Sequence, residues 1–306
     1  MTGLNKGVWA AALTPQNDDL SADLAAMVAH HRWLLANGCD GVAVLGTTGE
    51  ANSFSVAERR AVIDAVAEAG LPGKQVMIGT GCCAVSDTIE LTNAALAAGY
   101  ENVLMLPPFY YKGLGDDHLY GAFDHVIQAV GDARLKVIVY DFPAMTGLEI
   151  GVPLLTRLHG DHPDTVVGIK DSSGSWPDMQ AVCEAIPGFY TYAGTEQYLL
   201  DDLKAGGAGC ISATANATSQ YCGRVYAAFT SGDMAAAEQA QAEATEVRLM
   251  LQGYPAVPSL KAIMAEHAGR SGWRNLRPPM LPLSETQART LAADMERLGM
   301  TLAQAA

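Results

Sequence analysis

The sequence predicts an α/β protein, a (β/α)8 barrel with additional C-terminal helices. Eight short apolar runs alternate with amphipathic stretches over the first 232 residues, the arithmetic of eight strand–helix units. The runs are continuous rather than alternating and are bounded by Gly or Pro, as expected of parallel strands buried on both faces. A doubly wound sheet is the structural rival. It normally stops near five or six strands and carries a glycine-rich phosphate loop after the first. Here the first run leads into LTPQNDD, which holds no glycine.

Taken in order, the first run is VWAAALT (8–14), followed by a helical face of Leu24, Met27, Val28, Leu34 and Leu35 that closes near Gly38. The second is GVAVLG (41–46). Ser55 and Glu58 then form a capping box for a helix ending near Gly70. VMIG (76–79) precedes a helix through Ile89, Leu91, Ala95 and Leu96, closed near Gly99. NVLML (102–106), KVIVY (136–140), TVVGIK (165–170), YTYAG (190–194) and GCISA (209–213) follow. Their helices end near Gly131, Gly160, Gly188 and Gly206, glycines suited to a left-handed cap. Beyond residue 232 come alanine-rich helical stretches at 234–252, 256–267 and 285–299, the last capped by Ser284 and Gln287. Residues 1–232 therefore read as the barrel and 233–306 as a helical extension packed on it.

Composition narrows the function. At 49% hydrophobic and 17% charged, the 306 residues can bury a large core. A net charge of −14 with no basic block argues against nucleic acid. No run approaches the roughly 18 apolar residues of a membrane span. The N-terminus makes a poor signal peptide. The six cysteines form no CxxC or zinc spacing, and the seven histidines no HExxH, so no metal site is expected. Free buried thiols fit a reducing, cytoplasmic setting.

In a barrel, chemistry lies at the C-terminal strand ends. Among seven lysines, Lys170 alone closes an apolar strand run. Desolvation there favours the neutral amine that a Schiff-base nucleophile needs, whereas pairing with Asp171 would make the same lysine structural. Tyr140 ends the preceding strand at the same level, either as a proton-transfer group or as a core aromatic. GTTGE (46–50) offers hydroxyls and backbone N–H groups suited to a carboxylate. PPFYY (107–111) sets Tyr110 and Tyr111 at the mouth. KAGGAG (204–209) lies between a helix and the next strand, on the stability face, and reads as a turn.

Taken together and in order, GTTGE, GTG (79–81), PPFYYKG, YDFPAMTG (140–147), GIKDSSG (168–174) and AGTEQYLLDDLKAGGAGCISATAN (193–216) resemble the dihydrodipicolinate synthase / N-acetylneuraminate lyase family over essentially the whole chain. The resemblance implies a homotetrameric barrel enzyme that needs no cofactor. Lys170 would form an imine with pyruvate or another 2-oxo acid. Tyr140 would relay protons, Thr47 and Thr48 would hold the 2-oxo acid carboxylate, and Thr47 would link Tyr140 to a neighbouring subunit's Tyr110. Gly194 and Ile211 would wall the pocket.

Two departures bear on the substrate. The family's synthases carry an arginine for the second substrate's carboxylate where this chain has Met145, so YDFPAMTG looks more like the sugar-acid aldolases. Asp141 stands where many members have asparagine. The twelve arginines fall on helices or in the tail rather than at the apparent strand ends. A neutral, hydroxylated tail is therefore expected, with Glu196, Ser172 and Ser173 as hydrogen-bond partners. The implied reaction is aldol cleavage or condensation yielding pyruvate, or dehydration, of a 2-keto-3-deoxy sugar acid or a 4-hydroxy-2-oxo acid. Alternatives are 4-hydroxy-tetrahydrodipicolinate synthase activity and a non-catalytic barrel that binds a 2-oxo acid.

Overall fold

The computed structural model describes residues 3–304. Eight parallel strands close into one barrel in sequence order, β1 pairing with both β2 and β8. They are β1 (Gly7–Ala11), β2 (Gly41–Val44), β3 (Val76–Gly79), β4 (Asn102–Met105), β5 (Lys136–Asp141), β6 (Val166–Asp171), β7 (Tyr190–Ala193) and β8 (Gly209–Ser212). The helices between them are α1 (Leu24–Ala36), α2 (Val56–Glu68), α3 (Val85–Ala97), α4 (Asp116–Val130), the short α5 (Pro143–Thr146), α6 (Val152–Asp161), α7 (Trp176–Ala185) and α8 (Leu199–Lys204). After β8 come α9 (Ala215–Ser231), α10 (Met234–Gln252), α11 (Ala256–Ala268) and α12 (Glu285–Arg297).

Both capping boxes form: Ser55 with Glu58 opens α2, and Ser284 with Gln287 opens α12. Six of the seven expected glycine stops take positive φ, but Gly160 does not. It lies inside α6, which runs on to Asp161 and closes where the His162 N–H bonds Leu158 O. The cysteines are free; Cys83 is exposed and Cys183 half-buried, whereas the other four are buried as expected. Among the described residues no helix is long and apolar enough to cross a membrane.

Two apolar layers hold the barrel. The outer one lies between strands and helices, and the inner one fills the lumen with Trp9, Met77, Leu104, Ile138, Tyr192 and Ile211. The pairing of β5 with β6 departs from regularity. Val137 pairs with Val166, but Ile138 pairs with Gly168, so Val167 is an extra residue on β6. Such a bulge re-aims the side chains beyond it. Here it brings Lys170 into register with Tyr140 and Asp171 with Asp141. Gly168 permits this packing, since a Cβ there would lie 2.4 Å from Tyr190 O.

The tail helices are tied to the loops at the C-terminal ends of the strands. Buried Lys261 on α11 pairs with buried Glu50 of the GTTGE loop and donates to Asn275 O at 2.8 Å. Burial pushes the Lys261 ammonium down, while Glu50 opposes that shift. Arg277 binds Ser53 O at 2.7 Å and the Glu58 carboxylate, which it holds at about 2. On α10, Gln241 donates to Glu196 O at 2.9 Å and accepts from Leu200 N at 3.0 Å.

Candidate active site

Lys170 and Tyr140 are penultimate residues of neighbouring strands and face the same end of the lumen. The Lys170 side chain is 4% exposed, and its Nζ lies 4.2 Å from the centroid of the Tyr140 ring. No hydrogen bond or ion pair engages that Nζ among the described residues. Pairing with Asp171 is excluded by strand alternation, which sends the next side chain to the opposite face. There Asp171 accepts from Ser173 N at 2.8 Å. What remains is an amine over an apolar floor, beside an aromatic face and without a counter-ion.

The Tyr140 hydroxyl lies 3.5 Å from Thr47 Oγ1, at the outer limit of a hydrogen bond. Thr47 is half-buried and Thr48 buried, in a loop flanked by strained backbone. Leu45 and Glu50 flank it at φ 60° and 57°, a left-handed region costly for non-glycine residues. The Glu50–Lys261 ion pair anchors the strained end. The sequence gives no sign that these two residues meet, because a Glu and a Lys more than 200 positions apart carry no local pattern.

Gly194 and Ile211 stand at the ends of β7 and β8. A Cβ at Gly194 would lie 2.2 Å from Ser172 Oγ, so the glycine leaves room for that hydroxyl. Met145 sits on α5 and is 61% exposed. Tyr110 is 73% exposed and packs edge-on against Tyr111, so within one chain it does not join Tyr140. Lys112 fastens this loop to the next by donating to Phe109 O and Thr146 O.

Two expectations are corrected. Glu196 is not free to meet a substrate: it is fully buried and accepts from Ser212, Thr214 and Thr218. A buried carboxylate needs such donors, and three hydroxyls, from the last residue of β8 and the segment after it, supply them. The arginines also do not all stay away from the strand ends. Arg248 on α10 donates from Nε to Thr195 Oγ1 at 3.1 Å, just past β7.

Asp141 and Asp171 lie behind Lys170 and Tyr140, buried and side by side. Burial and then the Asp171 charge push Asp141 up to about 7, and burial also raises Asp171. Asparagine at 141 would add no charge; aspartate instead keeps a proton there near neutrality. Among the described residues no group of three or more His, Cys, Asp or Glu side chains could hold a metal ion.

A family model described as the dihydrodipicolinate synthetase family matches residues 4–298. The chain belongs to this family. It is accordingly an enzyme of the lyase class, built like the family's class I aldolases. Among curated relatives, an "Uncharacterized DapA-like lyase" of Chloroflexus aurantiacus is 33% identical, covering 96% of this chain and 97% of its own. A 4-hydroxy-tetrahydrodipicolinate synthase of Acidiphilium cryptum is 30% identical, at 96% and 98% coverage. A probable mitochondrial 4-hydroxy-2-oxoglutarate aldolase of Emericella nidulans is 32% identical, at 90% and 89%. Among solved structures, the family member YagE from E. coli K12 in complex with pyruvate superposes with a TM-score of 0.89 at 27% identity, covering 97% of this chain and 99% of that one.

Proposed function

We propose that this family member forms an imine between Lys170 and a 2-oxo acid and catalyses retro-aldol cleavage, or dehydration, of a 2-keto-3-deoxy or 4-hydroxy-2-oxo acid. The observation that carries the reading is the unpaired Lys170 amine beside Tyr140. The pyruvate complex of YagE and the aldolase from Emericella nidulans support it. Lys170 attacks C2, and the carbinolamine loses water to leave a protonated imine. Breaking the C3–C4 bond delivers its electron pair into that imine as an enamine. Tyr140 takes the 4-hydroxyl proton as the aldehyde departs. The enamine is protonated at C3, and hydrolysis frees pyruvate and Lys170. Thr47 and Thr48, with the backbone N–H groups of their loop, are suited to holding the 2-oxo acid carboxylate, so that one face of C2 meets the amine. Ser172 and the pocket wall of Gly194 and Ile211 border the space for the rest of the substrate.

In this reading Tyr110 completes the neighbour's site in a homotetramer, which its exposure in the single chain supports. The enzyme works in the cytoplasm as a 1–232 barrel carrying the 233–306 extension. The 4-hydroxy-tetrahydrodipicolinate synthase of Acidiphilium cryptum suggests a second reading; against it stands Met145, which has no donor to offer a second substrate. Borohydride reduction in the presence of pyruvate tests the central claim. Peptide mass spectrometry should find the reduced adduct on Lys170, and Lys170→Ala should abolish it. Undiminished labelling of that variant would move the nucleophile elsewhere.

A further inference from the structure

We infer that Arg248 is a specificity-determining residue that grips a distal carboxylate, making the preferred substrate a dicarboxylic 2-oxo acid. The inference rests on the imine reading above and adds to it the charge of the substrate's tail. Three observations support it. First, α10 lies along the loop after β7: Gln241 binds Glu196 O and Gln197 O, and Arg248, two turns further along, binds Thr195 Oγ1 at 3.1 Å. Second, only Nε is engaged. It lies 3.6 Å from Glu196 Oε2, and neither terminal nitrogen has a protein partner among the described residues, although the side chain is only 21% exposed. A guanidinium held by Nε still offers its two terminal nitrogens in the plane that suits a carboxylate. Glu196 is already served by the Ser212, Thr214 and Thr218 hydroxyls, so it does not occupy that edge.

Third, the end of the barrel is right. Lys170 pairs with Tyr192, and Thr195 lies three residues further along the chain, just past the end of β7 at Ala193. That puts Thr195, and Arg248 with it, at the same end of the barrel as Lys170. In this proposal a five-carbon acid attached to Lys170 extends towards that end. A carboxylate at the far end of that acid would meet Arg248 rather than Met145, so the chain carries its cation on a tail helix instead of on the loop after β5.

The test compares two substrates that share their reacting carbons. One is 4-hydroxy-2-oxoglutarate, with a second carboxylate; the other is a 2-keto-3-deoxyhexonate with a neutral hydroxylated tail. Pyruvate release by the full-length enzyme should favour the dicarboxylate in kcat/KM. Arg248→Gln should lower that value roughly 10–100-fold, the range for losing a hydrogen bond to a charged group, chiefly through KM. The neutral-tailed acid should lose less than threefold, and Arg248→Lys should recover part of the dicarboxylate activity. Equal losses on both acids would reduce Arg248 to a fastener for α10, and an unchanged KM would remove it from the site. Should the variants fail to fold, the wild type still decides. 2-Oxoglutarate should block pyruvate trapping at Lys170 at least tenfold more tightly than 2-oxohexanoate, and equal inhibition would overturn the inference. Absence of any pyruvate adduct on Lys170 would instead overturn the imine reading on which it rests.

Discussion

Asp141→Asn should make the protein more stable at alkaline pH and change it little in acid. In the folded chain Asp141 is buried beside Asp171 and titrates at about 7 against an ordinary 3.8. Between those values the unfolded chain releases a proton that the folded chain keeps, so stability falls as pH rises from about 4 to 7. The loss is complete about one unit above 7, where the folded state holds the Asp141 carboxylate ionised in its buried place beside Asp171. Three pKa units at about 1.4 kcal/mol each put this cost near 4 kcal/mol. Asparagine removes the titration. Its carbonyl can still accept the Ile150 N–H, now bonded to Asp141 Oδ1 at 3.0 Å, and its amide can donate towards Asp171. Thermal melts of both proteins from pH 4.5 to 8.5 would measure the difference. The variant should gain progressively until about one unit above pH 7 and then hold a constant advantage. Asp202, pushed up to about 8 by burial, gives the wild type further alkaline sensitivity, but that contribution is common to both proteins. A stability difference independent of pH would refute the reasoning, since a merely better-packed asparagine has nothing to titrate.

Tyr140→Phe should still be trapped by pyruvate and borohydride while turnover drops roughly 10²–10⁴-fold, the usual share of a general acid–base group; near-native turnover would remove Tyr140 from proton transfer. Lys261→Met leaves Glu50 buried without its cation and should cost about 3–5 kcal/mol in chemical denaturation, whereas Lys261→Met with Glu50→Gln should recover much of that loss. Light scattering at assay concentration should find a homo-oligomer, with a tetramer the expected mass. A fully active monomer would separate Tyr110 from the site.

The sequence alone determined what is encoded within a few residues. Strand runs, capping boxes and most glycine stops each depend on neighbours along the chain, and they appear where local pattern puts them. Lys170 and Tyr140 were legible for the same reason: each closes an apolar run, and strand ends in a barrel form one face. Gly160 takes no left-handed cap because α6 runs one residue past it and closes instead at His162, whose N–H bonds Leu158 O. What only the tertiary structure decided involves chain segments that meet through packing. The extra residue at Val167 aligns Lys170 with Tyr140 and, in the same step, sets Asp141 against Asp171. Register across a barrel is set by how whole strands pack, and no single strand's sequence states it. Likewise Lys261 reaches Glu50 and Arg248 reaches Thr195 across 211 and 53 positions. A buried charge finds its partner through the fold, and the chain between the two residues carries no mark of where they meet.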